Sequence, residues 1–140
     1  MPNFEIYTDG SFKGHWGSWA YLIVKNNSVI CEASGRVKKT NSNRMEFQAA
    51  IEALKTLPKG TVATVFTDCK ILIENINLLA EWQSNDWIKK NKSPIPNVDL
   101  YICLHELLTS LNISWKWIRA HSGNKYNERC DELCLLAREP

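Results

Sequence analysis

Two β-rich runs in this chain end on the same signature, and that repetition restricts the fold more than anything else in it. Phe4 to Ser11, FEIYTDGS, alternates large apolar and polar residues at period two. It reads as a half-buried strand that Asp9-Gly10-Ser11 should end, leaving Asp9 at the strand's tip. Val62 to Asp68, VATVFTD, again finishes on aromatic-Thr-Asp. If the two strands lie side by side and parallel, Asp9 and Asp68 meet at the edge of the sheet where open α/β folds keep their ligands. Two carboxylates there repel each other unless a cation or a proton intervenes. The expected cation is divalent.

The 140 residues fit one domain, 1–140, with a single core. With 44% hydrophobic and 23% charged residues, the composition is that of a globular chain and not of a disordered one. A net charge of +2 does not by itself establish a nucleic-acid partner, so the placement of the charges carries the argument. Five cysteines without paired spacing argue against a disulfide framework and suit a reducing compartment. Cys130 and Cys134 stand one helical turn apart, but no histidine or second cysteine pair accompanies them, so they are read as packing and not as metal ligands. There is no apolar run of ~20 residues and no basic-then-apolar leader at the N-terminus. A cytoplasmic protein, off the membrane, is expected.

Along the chain, Phe12 to Ser18 reads as a loop with Gly14 and Gly17. WAYLIVKN and SVICEASGRV then form a hairpin about Asn26-Asn27, residues that tolerate left-handed backbone. Thr40-Asn41-Ser42-Asn43 is a capping cluster for the helix RMEFQAAIEALKTL, which Pro58 ends. Glu46 shares its helical stripe with Ala50, Ala53, Leu54 and Leu57, the face expected to pack on the sheet. It is either part of a site or a first-turn acid complementing the helix dipole. The strand Val62 to Phe66 follows by a right-handed crossover and should lie parallel to an earlier strand. Asp68 opens a helical run, Lys70 to Leu79, and alone could be an N-cap.

Ala80 to Val98 lacks periodicity and carries Trp82, Trp87, Lys89, Lys90 and Lys92. Aromatics among lysines suit a sugar-phosphate backbone, though the tryptophans could equally fasten the loop to the core. Asn97 should cap a helix over Val98 to Leu111 with a leucine face. ISWKWI, Ile113 to Ile118, is a fifth strand, and a last helix spans Tyr126 to Arg138 and contains Asp131. His121 lies between them in a polar loop, either solvated or functional. The order of elements describes an α/β chain, helices around a five-stranded mixed sheet.

Asp9, Glu46, Asp68 and Asp131 together offer four carboxylates with no cysteine or histidine cluster beside them. All-oxygen donors select hard cations, and Mg2+ keeps waters and substrate phosphates as its remaining ligands. Two such ions about 3.5 to 4 Å apart activate water and stabilise the leaving oxygen in an in-line displacement at phosphorus. A neutral histidine can move the proton.

YTDGS, NRMEFQAA, the TD closing the fourth strand, WKWIRAHSG and NERCDEL occur in the order of type 1 ribonuclease H, which this chain resembles along nearly its whole length. The resemblance implies the ribonuclease H-like fold. It also implies an endonuclease that cleaves the RNA strand of an RNA-DNA hybrid with two Mg2+, Mn2+ being a possible substitute, and leaves 3'-hydroxyl and 5'-phosphate ends. By position, Asp9, Glu46, Asp68 and Asp131 match the metal-binding carboxylates, Asp9 bridging both ions, and His121 matches the loop histidine of proton transfer and product release. Gly10, Ser11, Asn41, Ser42 and Asn43 fall where the family meets the hybrid. An A-like hybrid presents 2'-hydroxyls in a wide, shallow minor groove, so ribose can be demanded without reading bases. Trp82, Trp87, Lys89, Lys90 and Lys92 lie in a stretch similar to the basic handle of bacterial enzymes. A monomer is expected.

Departures from the pattern are His15-Trp16 in the turn after the first strand, Ser42 at an amide position, Cys69-Lys70 after Asp68, and a handle with little charge over Gln83 to Asp86. Weaker hybrid affinity follows from the last, and no second hybrid-binding domain is expected. A noncatalytic hybrid-binding module is the alternative, but such a module would normally lack one of the carboxylates. Integrase-like transferases share such a core, and fold alone does not fix function, but they would be expected to lack the NRMEFQAA and AHSG matches.

Overall fold

The computed structural model describes residues 4–139. In chain order the elements are β1 (Phe4–Lys13), β2 (Trp16–Lys25), β3 (Ser28–Lys38), α1 (Ser42–Lys55), β4 (Val62–Thr67), α2 (Lys70–Ile76), α3 (Leu79–Ser84), α4 (Val98–Leu108), β5 (Asn112–Trp117) and α5 (Lys125–Arg138). The strands form one sheet in the order β3-β2-β1-β4-β5. β1, β2 and β3 are antiparallel neighbours, while β4 lies parallel to β1 on one side and to β5 on the other. This is the mixed five-stranded sheet expected from the sequence.

The two sheet faces are covered unequally. Ile6, Ile23 and Val65 point into the larger core with Phe47, Ile51 and Leu54 of α1 and Leu104 of α4. Tyr7, Ala20, Leu22 and Val24 point the other way, against Cys130 and Cys134 of α5. Those two thiols donate to the carbonyls of Tyr7 (3.4 Å) and Asp9 (3.5 Å), so they are packing groups, as read from the sequence. Both faces being covered corrects one expectation. Ile6, Tyr7, Thr8 and Asp9 are all buried, so β1 is not half-exposed, and its alternation separates two interiors.

β1 also does not stop at Asp9-Gly10-Ser11. It continues to Lys13 and turns through Gly14-His15 into β2, where a loop was expected. The strand's two edges end at different places. Pairing with β4 ends at Tyr7↔Phe66, whereas pairing with β2 continues to Lys13↔Trp16. The Asp-Gly signal thus marks the loss of one partner and not the end of the strand. Gly14, at φ +66, supplies the left-handed residue of the tight turn. Asn26 and Asn27, at φ 52 and 63, do the same for the β2–β3 hairpin.

Asn41 caps α1 by accepting from the Arg44 amide at 2.9 Å. Asn97 was expected to cap α4 but is left-handed (φ 62) and makes no side-chain cap. Its Oδ1 accepts from Arg44 Nη1 at 3.3 Å instead. The helical run from Lys70 breaks after Ile76, and α3 occupies part of the stretch read as irregular. Leu79 and Trp82 bury themselves there, and a helix of this length leaves too few turns for a period to be recognised.

Candidate active site

Tyr7↔Phe66 is the last pair of the β1–β4 register, so Asp9 and Asp68 each stand two residues beyond it on neighbouring strands. The matched triplets are therefore matched in space. Tyr7 and Phe66 stack with centroids 4.8 Å apart and planes 9° from parallel. Thr8 and Thr67 are both buried. Thr67 Oγ1 accepts from the Cys69 amide at 3.1 Å, which turns the chain immediately after Asp68. Cys69, not Asp68, occupies the N-cap position of α2, so capping does not account for the Asp68 carboxylate.

Glu46 reaches the pair from the other layer. The first turn of α1 lies against Gly10, where a Cβ would meet the Glu46 amide nitrogen at 2.3 Å. With the helix seated that closely, Asp9, Glu46 and Asp68 each place a carboxylate oxygen within 4.8 Å of the others. Among the described residues Glu46 Oε1 is buried with no hydrogen-bond partner, and Asp9 Oδ1 accepts the neighbouring Gly10 amide at 3.0 Å. Burial, then the charges of Asp68 and Asp131, push the Asp9 carboxyl up to about 7. Burial, followed by the charges of Asp9 and Asp68, also raises Glu46 well above the ordinary carboxyl range.

An orphaned buried carboxylate oxygen beside two further carboxylates is an arrangement a hard cation would satisfy, and the donor set is all oxygen. The nearby thiols do not compete as ligands. Burial raises Cys69 to about 11 and Cys134 to about 12, so both stay protonated at neutral pH. Asp131, on α5, is not one of the three clustered carboxylates but is near enough for its charge to raise Asp9. His121 is exposed, with left-handed backbone (φ 53), in the loop after β5.

The substrate candidates divide. Ser42 and Asn43 are exposed on the first turn of α1, and Ser11 is half-buried on the face of β1 that carries Asp9. Asn41 has its carbonyl oxygen committed to the helix cap. A groove of about 630 Å3 runs from Asn43 past Asn75 to Lys89 and Lys90. Lys89, Lys90 and Lys92 are exposed, Lys90 being paired with Glu81 at 3.1 Å. Trp82 is 8% exposed and packs edge-on against Tyr101, which favours the reading that it fastens the loop to the core. Trp87 is half-buried against the core and the His105 ring, so it too fastens the loop.

Sequence reasoning did not single out Arg44. Its guanidinium forks onto Asp99 at 2.9 and 2.7 Å, which ties the start of α1, and with it Glu46, to the start of α4. The two residues are distant along the chain, and no local pattern announces such a pair.

The RNase H family model matches residues 1–139. The ribonuclease H of Francisella philomiragia is 42% identical over 138 residues, spanning 96% of this chain and 90% of its own length. That of Rickettsia typhi is 37% identical over 137 residues, with 96% and 90% covered. Among solved structures, LC9-RNase H1, a type 1 RNase H with the type 2 active-site motif, superposes with a TM-score of 0.85 at 20% identity, covering 97% of this chain and 72% of that one. LC11-RNase H1 in complex with RNA/DNA hybrid gives 0.72 at 18% identity, covering 96% and 95%. At such identities the two structures speak for the fold.

Proposed function

This chain belongs to the RNase H family, and we infer that Asp9, Glu46 and Asp68 form the centre at which it cuts. The activity is that of a ribonuclease H, endonucleolytic cleavage of the RNA strand of an RNA-DNA hybrid. The observation that carries the assignment of the centre is the convergence of three carboxylates around the unpartnered Oε1 of Glu46.

These residues fit a pair of divalent cations, Mg2+ with Mn2+ as substitute, held by Asp9, Glu46 and Asp68 with Asp131 alongside. When bound, such ions would supply Lewis-acid stabilisation of the phosphate and an activated water; the products of the proposed cleavage carry 3'-hydroxyl and 5'-phosphate ends. Asp9, on the central strand, would hold the cations together with Glu46 of α1 and Asp68 at the tip of β4. His121, exposed in the loop after β5, serves as the proton-transfer group of the reaction. The Gly10 backbone, the Ser11 hydroxyl and the first turn of α1 at Ser42 and Asn43 face the ribose strand across a wide, shallow minor groove. Lys89, Lys90 and Lys92 attract the backbone further out. The enzyme acts as a monomer in the cytoplasm. A module that only bound hybrid would gain nothing from a buried, unpaired carboxylate oxygen.

The test is cleavage of hybrid, double-stranded RNA and DNA in parallel, with and without Mg2+. Cutting confined to the RNA of the hybrid and dependent on the ion is the expected result. Metal-independent cutting, or equal cutting of double-stranded RNA, would overturn the reading.

A further inference from the structure

A second patch lies on the same sheet face as Asp9, and the proposed catalytic centre does not use it. Along β1, alternation places Asp9, Ser11 and Lys13 on one face, and their partners on β2 are Ala20, Ser18 and Trp16. The β2–β3 register continues the row with Lys38 opposite Trp16 and Arg36 opposite Ser18. The Trp16 ring is not packed into the core; it lies under two cations. The Arg36 guanidinium is 4.1 Å from its centroid and Lys38 Nζ is 4.8 Å away. Such contacts restrict long, flexible side chains by holding their cationic heads over the ring. A cavity of about 380 Å3 opens beside them, bounded by Phe12, His15, Trp16, Lys38 and Lys39.

Among the described residues, no ion pair neutralises Arg36 or Lys38. Glu32 is the one acid between Gly10 and Lys39, and it is paired with Arg129 at 2.8 Å, opposite Leu22 towards the other end of the strand. The four residue steps from Asp9 to Lys13 span about 13 Å at roughly 3.3 Å each. That is about four steps of a nucleic-acid helix at 3.4 Å per step. The groove at Lys89 and Lys90 reaches Asn43, while this cavity is bounded by Lys38 and Lys39, and the two share no lining residue.

We propose that Arg36 and Lys38, braced on Trp16, bind the sugar-phosphate backbone of the hybrid a few base steps from the cut. The inference rests on the ribonuclease H reading and adds a contact that the chain makes with its own departure, Trp16. Two phosphates neutralised here contribute about 1.8 to the slope of log KM against log salt. Trp16 acts through the two cations and is a positioning residue.

The experiment is steady-state cleavage of one long hybrid with Mg2+ across a salt series, for wild type and for the double variant Arg36→Gln, Lys38→Gln. Both positions are exposed, and thermal melting checks that the variant folds. Between about 50 and 200 mM salt the wild-type KM should climb about tenfold more than that of the variant, with kcat changed less than about twofold. Equal salt slopes would overturn the patch while leaving the nuclease intact. A wild type that cut no hybrid would instead overturn the function on which the patch depends.

Discussion

The amide nitrogen of Glu46 lies over Gly10 so closely that a Cβ on that glycine would stand 2.3 Å from it. The Met45 carbonyl carbon, at 2.4 Å, belongs to the same contact. Asp9 is carried by a strand and Glu46 by the helix on the opposite sheet face, so their carboxylates meet only because the helix is seated directly on backbone. Beyond Tyr7↔Phe66 the β4 edge of β1 is open, and Glu46 reaches Asp9 there.

Gly10→Ala therefore tests the seat. The colliding atoms are backbone, so no rotamer change relieves them, and α1 must move. A displacement of about 1 Å at a reacting centre costs on the order of 100-fold in rate, and overpacking costs about 1 to 3 kcal/mol. Cleavage rates and thermal melts should fall together. Wild-type kcat/KM in the alanine variant would show that the helix position does not matter to catalysis.

Asp9→Asn should abolish Mg2+-dependent cleavage and stabilise the metal-free fold near neutral pH. Burial first, and then Asp68 and Asp131, raise the Asp9 carboxyl from 3.8 to about 7. Between those values the folded chain holds a proton that the unfolded chain has released, so stability falls as pH rises through that window. Above it the full penalty of ionisation is present. Glu46, also raised, acts in the same direction. With metal chelated, wild type should melt higher at about pH 5.5 than at about pH 8. The asparagine variant should recover on the order of 1 to 3 kcal/mol at the higher pH. A metal-free wild type whose melting temperature rises from pH 5.5 to 8 would contradict the buried, self-repelling cluster.

What the sequence disclosed about this site was its repetition. Tyr7-Thr8-Asp9 and Phe66-Thr67-Asp68 look alike because they occupy equivalent places on parallel strands, and strand register is a periodic property that a sequence can express. Glu46 was legible from its helical stripe for a similar reason. The seat at Gly10 and the Arg44–Asp99 fork were not, since each depends on an approach between segments far apart in the chain. The reach of β1 to Lys13 escaped because a strand with different partners on its two edges has two ends, and Asp-Gly announces only one. Trp82 stayed open because an aromatic among lysines looks the same in sequence whether it faces substrate or Tyr101.

His121→Ala should slow turnover without eliminating it. The residue is exposed, on a left-handed stretch of the loop after β5, and lies outside the compact carboxylate set, so its removal leaves that centre intact. General acid–base assistance contributes about 100- to 10,000-fold where a side chain acts directly, and water in an open site replaces part of it. A fall in kcat of about 10- to 100-fold with KM little changed is the expected split. An unchanged kcat would remove the loop from the reaction.

The lysine loop and its tryptophans should separate in mutagenesis, because the fold assigns them different work. Replacing Lys89, Lys90 and Lys92 together with glutamine removes exposed charge and no core contact. KM should rise and its salt slope should drop by about 2 to 3, one counterion per lost phosphate contact, while the melting temperature stays near wild type. The Lys90–Glu81 pair is exposed on both sides and is worth at most about 1 kcal/mol. Trp82→Phe shortens a buried ring against Tyr101 and should do the opposite, lowering the melting temperature and leaving KM within about twofold. If Trp82→Phe raised KM at unchanged stability, the ring would have to leave the core to meet substrate, and the loop would have two conformations where one is described.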